Sequence, residues 1–145
     1  MSIVEVKEGQ FDVALQNAGP RDVVLNLGVM TANGKSMYPR AIHFTLTGSD
    51  GKPVEFEFSK LAGVAGRLDD LIVALPVNGT YTLRLNLHEY CCDLAGVKLL
   101  PGHYRMAGIF EGKGAQAVNL DTLGVKLLNF WTGVVQSNPV EFDLH

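Results

Sequence analysis

Side chains able to do chemistry are sparse in this sequence. They crowd together only in His88-Glu89-Tyr90-Cys91-Cys92-Asp93, where imidazole, carboxylate and two thiols follow one another. As thiolate and imidazole these are zinc-type ligands. In an extended strand, however, neighbouring side chains leave opposite faces, so Cys91 and Cys92 would serve one ion only where the chain turns. The other histidines, His43, His103 and His145, stand at no metal-ligand spacing, and the expectation is neither a metal nor a cofactor. A cysteine nucleophile would need His88 or His103 brought beside it by the fold. Adjacent cysteines cannot close a loop that constrains the unfolded chain. Two thiols, one partly buried in a sheet, are the plainer reading.

Carboxylates are scattered. Asp69-Asp70 follow Arg67 and Asp121 follows Asn119, short of a calcium loop's spacing, and no pair is singled out as acid and base. Asp69-Asp70 read instead as turn formers ahead of a strand. Glycine-rich stretches at 63–66 and 108–114 lack the lysine and the strand-to-helix setting of a phosphate loop. No catalytic residue is assigned, and the chain is not expected to be an enzyme.

Trp131 has most to offer a ligand. It is the sole tryptophan, follows Phe130 and precedes Thr132-Gly133 at the end of the longest connection. An indole there presents a flat face to a sugar ring or to a partner's side chain; the alternative is that it plugs the end of the core. The connection before it carries Val118, Leu120, Leu123, Val125, Leu127 and Leu128, which is apolar for a surface loop. Such a segment either folds back on the sheet or is covered by a second copy of the chain. The binding residues expected on this reading are Trp131, Phe130, Tyr90, Leu120, Asn119 and Asp121, with Tyr38 as a further aromatic.

Short bursts of alternating apolar and polar residues, separated by Gly, Asn, Asp and Pro, must position these side chains, and that period of two predicts strands. They fall at 11–16, 23–27, 41–47, 53–58, 71–75, 80–87, 103–110, 133–137 and 140–144. The first two are expected to pair antiparallel across Asn17-Ala18-Gly19-Pro20-Arg21-Asp22. Asp50-Gly51 and Asn78-Gly79 predict hairpins between the third and fourth and between the fifth and sixth. Pro139 predicts a bend or a change of partner before the last strand. With no strand-helix alternation, the pattern predicts one all-β domain over 1–145, an antiparallel two-layer immunoglobulin-like β-sandwich. Tyr104, at the head of a late strand after Leu99-Leu100-Pro101-Gly102, is placed to form a tyrosine corner, its hydroxyl bonding backbone just upstream. Long connections at 59–70, 88–98 and 111–132 are the natural places for binding.

Composition agrees. The 145 residues are 47% hydrophobic and 19% charged, too apolar for a disordered chain. A net charge of −3 offers no general attraction to nucleic acid or anionic lipid. Charges in Met1-Ser2-Ile3-Val4-Glu5-Val6-Lys7-Glu8 interrupt any signal-peptide core, and no stretch has the length of a membrane span. The expected location is cytoplasmic, or secreted if a leader has been removed.

Two resemblances accompany these patterns. Leu99-Leu100-Pro101-Gly102-His103-Tyr104-Arg105, together with Trp131-Thr132-Gly133 and Ser137-Asn138-Pro139-Val140-Glu141-Phe142, resembles bacterial immunoglobulin-like modules over about a third of the chain. Phe11-Asp12-Val13-Ala14-Leu15-Gln16-Asn17, Asp50-Gly51-Lys52-Pro53-Val54 and Pro101-Gly102-His103-Tyr104 resemble the intracellular proteinase inhibitor family of bacilli, also a β-sandwich. This chain carries a longer segment before its last two strands than the inhibitors do. Both resemblances rest on residues that make turns and corners, and imply a fold before a function. The expected function is a non-catalytic interaction module binding a protein partner or itself, as a homodimer, through long loops and a sheet edge. A carbohydrate or small-ligand binding domain is the first alternative, and a proteinase inhibitor the second.

Overall fold

Alternation becomes extended strand throughout the computed structural model, which describes residues 1–32, 37–55, 70–90, 99–114 and 128–145. Chain order is β1 (Ser2–Lys7), β2 (Gln10–Gln16), β3 (Val23–Ala32), β4 (Met37–Pro39), β5 (Ile42–Gly48), β6 (Pro53–Glu55), β7 (Asp70–Leu75) and β8 (Thr80–Asn86). A helical turn, α1 (Leu87–Tyr90), follows, then β9 (Gly102–Lys113), β10 (Thr132–Gln136) and β11 (Val140–Leu144). Among the described residues all strand ladders are antiparallel, and they form three sheets: β1-β2-β8, β4-β3-β7, and a five-stranded sheet in which β9 lies between β5-β6 on one side and β10 with β11 on the other. The class is all-β, as the pattern predicts. No helix among the described residues is long and apolar enough to cross a membrane.

One hairpin forms as expected. Thr45, Leu46 and Thr47 pair with Glu55, Val54 and Pro53, around a turn in which Gly51 takes φ 73° and donates to the Gly48 carbonyl at 3.0 Å. The other two pairings do not form. β2 pairs with β1 and β8, whereas β3 pairs with β4 and β7, so the connection at 17–22 leads from one sheet to another. Likewise Asn78, at φ 62°, makes the expected tight turn, with Gly79 donating to the Pro76 carbonyl at 2.8 Å, yet β7 and β8 leave it for different sheets. Turn chemistry specifies a reversal of the chain, and the apolar faces on either side decide which sheet each strand joins. β1 and β4 were not expected from the pattern. β1 buries Ile3 while leaving Val4 and Val6 exposed, which blurs its alternation.

Pro139 bends the chain without changing its partner. β10 and β11 both pair with β9, but Gln136 faces Ile109 whereas Val140 faces Met106, so one residue is inserted between the two ladders. Ser137 closes this bulge by donating its N–H to the Gly108 carbonyl while its Oγ accepts the Gly108 N–H, both at 2.9 Å. At the end of β8 the Asn86 side chain accepts the His88 N–H at 3.1 Å, an N-cap that starts α1 at Leu87, the last residue of the expected strand.

Buried residues of all three sheets meet in one core, including Phe11, Val13, Leu25, Leu27, Phe44, Leu46, Leu85, Met106, Phe110 and Phe142. Phe11 of β2 meets Phe142 of β11 edge to face at 4.8 Å, and Tyr104 of β9 stacks on Phe142 at 5.8 Å. The Tyr104 hydroxyl donates to the Leu100 carbonyl at 2.6 Å, the corner bond the sequence predicts. Such a bond contributes about 1 kcal/mol net. Tyr38 belongs to this core as well. It is buried and its hydroxyl accepts the Asn86 N–H at 3.3 Å, which removes it from the candidate binding aromatics.

Candidate ligand-binding cleft

The site begins with a buried asparagine. Asn17 ends the apolar run of β2, and burial obliges its amide to find partners. The Nδ2 group donates to the carbonyls of Arg21 at 2.8 Å and Leu75 at 3.0 Å, and Oδ1 accepts the Gly19 N–H at 3.0 Å. Its backbone is bonded to both Gly79 and Asn78. One side chain thus fixes the turn at 17–22 and ties it to the corner after β7. Asp22 adds a second tie, its Oδ1 accepting the Val77 N–H at 2.9 Å.

A crossover places the tryptophan. Residues 129–131 run parallel to β3: Val24 donates to the Asn129 carbonyl and Trp131 donates to the Val24 carbonyl, both at 2.9 Å. From Thr132 the chain joins β9 as β10. Trp131 therefore sits where the chain passes from one sheet to the next. Its indole stacks on Phe110 at 5.6 Å, with 24° between the planes. Beneath it lie Gly112 and Gly133, which face each other in the ladder. A Cβ on Gly112 would come within 2.6 Å of the ring, and one on Gly133 within 3.0 Å. Two bare backbones make the room the indole occupies.

Between the turn and the crossover opens a cleft of about 370 Å³. Leu15, Leu25, Leu75, Phe110, Trp131 and Val135 form its walls, and residues 16–21 its rim. The half-buried indole packs against the core and also lines the cleft. Among the described residues Arg21 is the sole charged side chain in the lining, and none of them brings a carboxylate. On β8, opposite Leu15, burial raises the Tyr81 phenol above its ordinary pKa.

A second hollow of about 300 Å³ gathers charged side chains. Asn26, Arg40, Asp70, Glu111 and Lys113 line it, and Lys113 pairs with Glu111 at 3.2 Å. Buried Asn26 donates to Asp70 Oδ2 at 3.0 Å and to the Gly114 carbonyl at 2.8 Å, while its Oδ1 accepts the Gly28 N–H at 2.8 Å. These bonds hold the bulge of β3, where Gly28 has φ 74°. Asp70 opens β7, in keeping with its reading as a residue ahead of a strand. Among the described residues no three His, Cys, Asp or Glu side chains gather as a metal site. His103 forms an exposed cross-strand pair with Asp143, Nδ1 to Oδ1 at 2.9 Å.

Of the six residues the sequence singles out, Trp131 lines the cleft. Phe130 adjoins it on the parallel bridge to Val24 and lies outside the lining. Asn119, Leu120 and Asp121 lie outside the described residues, as do Cys91 and Cys92, and Tyr90 is described only as the backbone end of α1. Sequence reasoning missed Leu15, Leu25, Leu75, Phe110 and Arg21. The first four look like ordinary inward strand positions, and Arg21 like a turn residue. The chain matches no protein-family model and no curated protein.

Proposed function

We propose that this chain is a non-catalytic binding domain that takes a small apolar ligand in the cleft beside Trp131. The observation that carries this reading is the cleft itself: about 370 Å³ walled by large apolar side chains and a half-buried indole. Small-molecule sites generally span roughly 300–1,000 Å³ and are built in this way. The hydrogen-bonded turn at 17–22 supports it too, because a rim fixed in advance spares the ordering cost of binding. The Tyr104 corner bond supports an immunoglobulin-like arrangement as the rigid frame around the cleft.

Neutral N-phenylnaphthylamine tests this directly, because the lone tryptophan can transfer excitation energy to it. Saturable one-to-one binding with quenching of Trp131 is expected. Ala18→Phe, at an exposed rim position, is expected to weaken it by about tenfold through occlusion, the equivalent of about 1.4 kcal/mol. Unsaturable binding, or binding indifferent to Ala18→Phe, would refute the proposal.

A second reading, association with a protein partner or with a second copy, is favoured by the exposed valines of two strands. Val134 of β10 is 69% exposed, and Val4 and Val6 of β1 are 61% and 50% exposed. β10 pairs with β9 alone among the described strands, and a strand paired on one side can take a partner's strand by augmentation on the other. Sedimentation is expected to show concentration-dependent self-association that Val134→Lys suppresses. A strict monomer at high concentration would eliminate the homodimer.

A further inference from the structure

We infer that the ligand of the Trp131 cleft is an amphipathic anion, with an apolar tail between the sheets and an acidic head at Arg21; this rests on reading the cleft as a ligand site. Charge is the first ground. Among the described residues Arg21 is the only charged side chain lining the cleft, no acidic side chain shares that lining, and the guanidinium pairs with no carboxylate. Two of the neutral polar side chains in the lining are occupied: Asn17 spends both ends of its amide on the turn and the Leu75 carbonyl, and Asn129 donates to the Asp22 carbonyl at 3.0 Å; the Gln16 amide, also in the lining, is uncharged. An exposed guanidinium keeps its fork of N–H donors for a carboxylate or similar oxyanion.

Position is the second ground. Asn17 accepts from Gly19 and donates to the Arg21 carbonyl, so the backbone that carries Arg21 is held at the rim. A neutral head would gain only an uncharged acceptor's weaker hydrogen bond from that placement, and a cationic head would meet like charge. Apolar walls with a cationic side chain at the rim match a molecule with the same division of character.

Decanoate, decanol and decyltrimethylammonium share one tail and differ in the charge of the head. Their binding below micelle-forming concentrations is read by Trp131 emission and calorimetry, with circular dichroism confirming an intact fold. Decanoate is expected to bind about fivefold more tightly than decanol, near the upper end for a solvent-exposed ion pair, and the cation more weakly than either. Arg21→Gln, an exposed substitution that leaves the core untouched, is expected to bring decanoate to the level of decanol. Arg21→Lys is expected to keep part of the preference, and added salt to weaken decanoate selectively. Equal binding of decanoate and decanol to the wild-type chain, or a preference surviving Arg21→Gln, would overturn the anion assignment while leaving the cleft as a site. Failure of all three, together with neutral N-phenylnaphthylamine, would overturn the site and the assignment with it.

Discussion

Phe110→Ala is expected to lower the unfolding free energy by about 3–5 kcal/mol, the range for removing a buried aromatic ring from a close-packed core. Phe110 is 1% exposed and lies on β9 between Ile42 of β5 and Val135 of β10. Hydrogen-bonded ladders on both sides hold the backbone there, so the surroundings cannot collapse far into the space left. The cost has a second source: the ring stacks on Trp131, and an aromatic pair adds about 0.5–1.5 kcal/mol beyond the area it buries. Phe110→Leu separates the two, since leucine fills much of the volume without a ring and should cost about 1–2 kcal/mol. Urea titration followed by Trp131 emission and circular dichroism gives both values, with the midpoint moving and the slope unchanged. A loss below about 1 kcal/mol for Phe110→Ala would mean the site repacks freely, and the rigid wall assigned to the cleft would have to be abandoned. Because Phe110 lines the cleft, the same variant is also expected to let Trp131 tilt and to shift its emission.

The parts of the molecule legible in the sequence are those governed by local chemistry. Alternation in 11–16, 80–87 and 140–144 places Phe11, Val13, Leu15, Leu85, Phe142 and Leu144 inward, and all are buried. Asp50-Gly51 makes a hairpin because glycine reaches positive φ without steric penalty and the flanking strands share a sheet. Tyr104 bonds the chain a few residues upstream, a contact short enough to read from spacing. What failed was the choice between partners. Asn17-Ala18-Gly19-Pro20-Arg21-Asp22 has the composition of a hairpin loop, but its buried amide bonds to the Leu75 carbonyl, remote in sequence. A loop that pairs its own flanking strands and one that hands the chain to another sheet use the same residues, and only packing distinguishes them.

The same reasoning locates the limits at the site. Trp131 stands out because a lone indole beside a glycine asks for an explanation, and it lines the cleft. Leu15, Leu25 and Leu75 resemble any other inward strand residue, for a cleft wall and a core wall have the same pattern along one strand. They differ in the gap to the facing sheet, which depends on the turn that Asn17 holds and on the crossover at 129–131. Arg21 gains meaning only from what surrounds it: among the described residues it is the one charged side chain lining a largely apolar space.

Gly112→Ala is the sharpest probe of that crossover. Gly112 is buried on β9 directly opposite Gly133 of β10. A Cβ there would lie 2.6 Å from Trp131 Cε3, 2.9 Å from Cζ3 and 2.8 Å from the Trp131 carbonyl oxygen. Rotation of the indole relieves the first two contacts and leaves the third, so the backbone of the crossover must move. That backbone is tied to β3 through the Trp131 N–H and the Asn129 carbonyl. Overpacking of this kind costs about 1–3 kcal/mol, and more where backbone is the obstacle; about 3 kcal/mol is expected here. Gly112 does not occupy the left-handed region, so the loss is steric, unlike Gly51, where φ is 73° and nothing stands within 4 Å of an added Cβ. Gly51→Ala therefore serves as the comparison, its cost arising from backbone conformation alone and amounting to about 1 kcal/mol. A double-mutant cycle with Trp131→Ala, read by circular dichroism, divides the Gly112 effect between ring and carbonyl. Ring contacts vanish in the Trp131→Ala background, so the residual cost of Gly112→Ala there is expected to fall without reaching zero. Should Gly112→Ala prove neutral in the wild-type chain, the indole would not rest on this glycine pair, and the cleft would have a different wall.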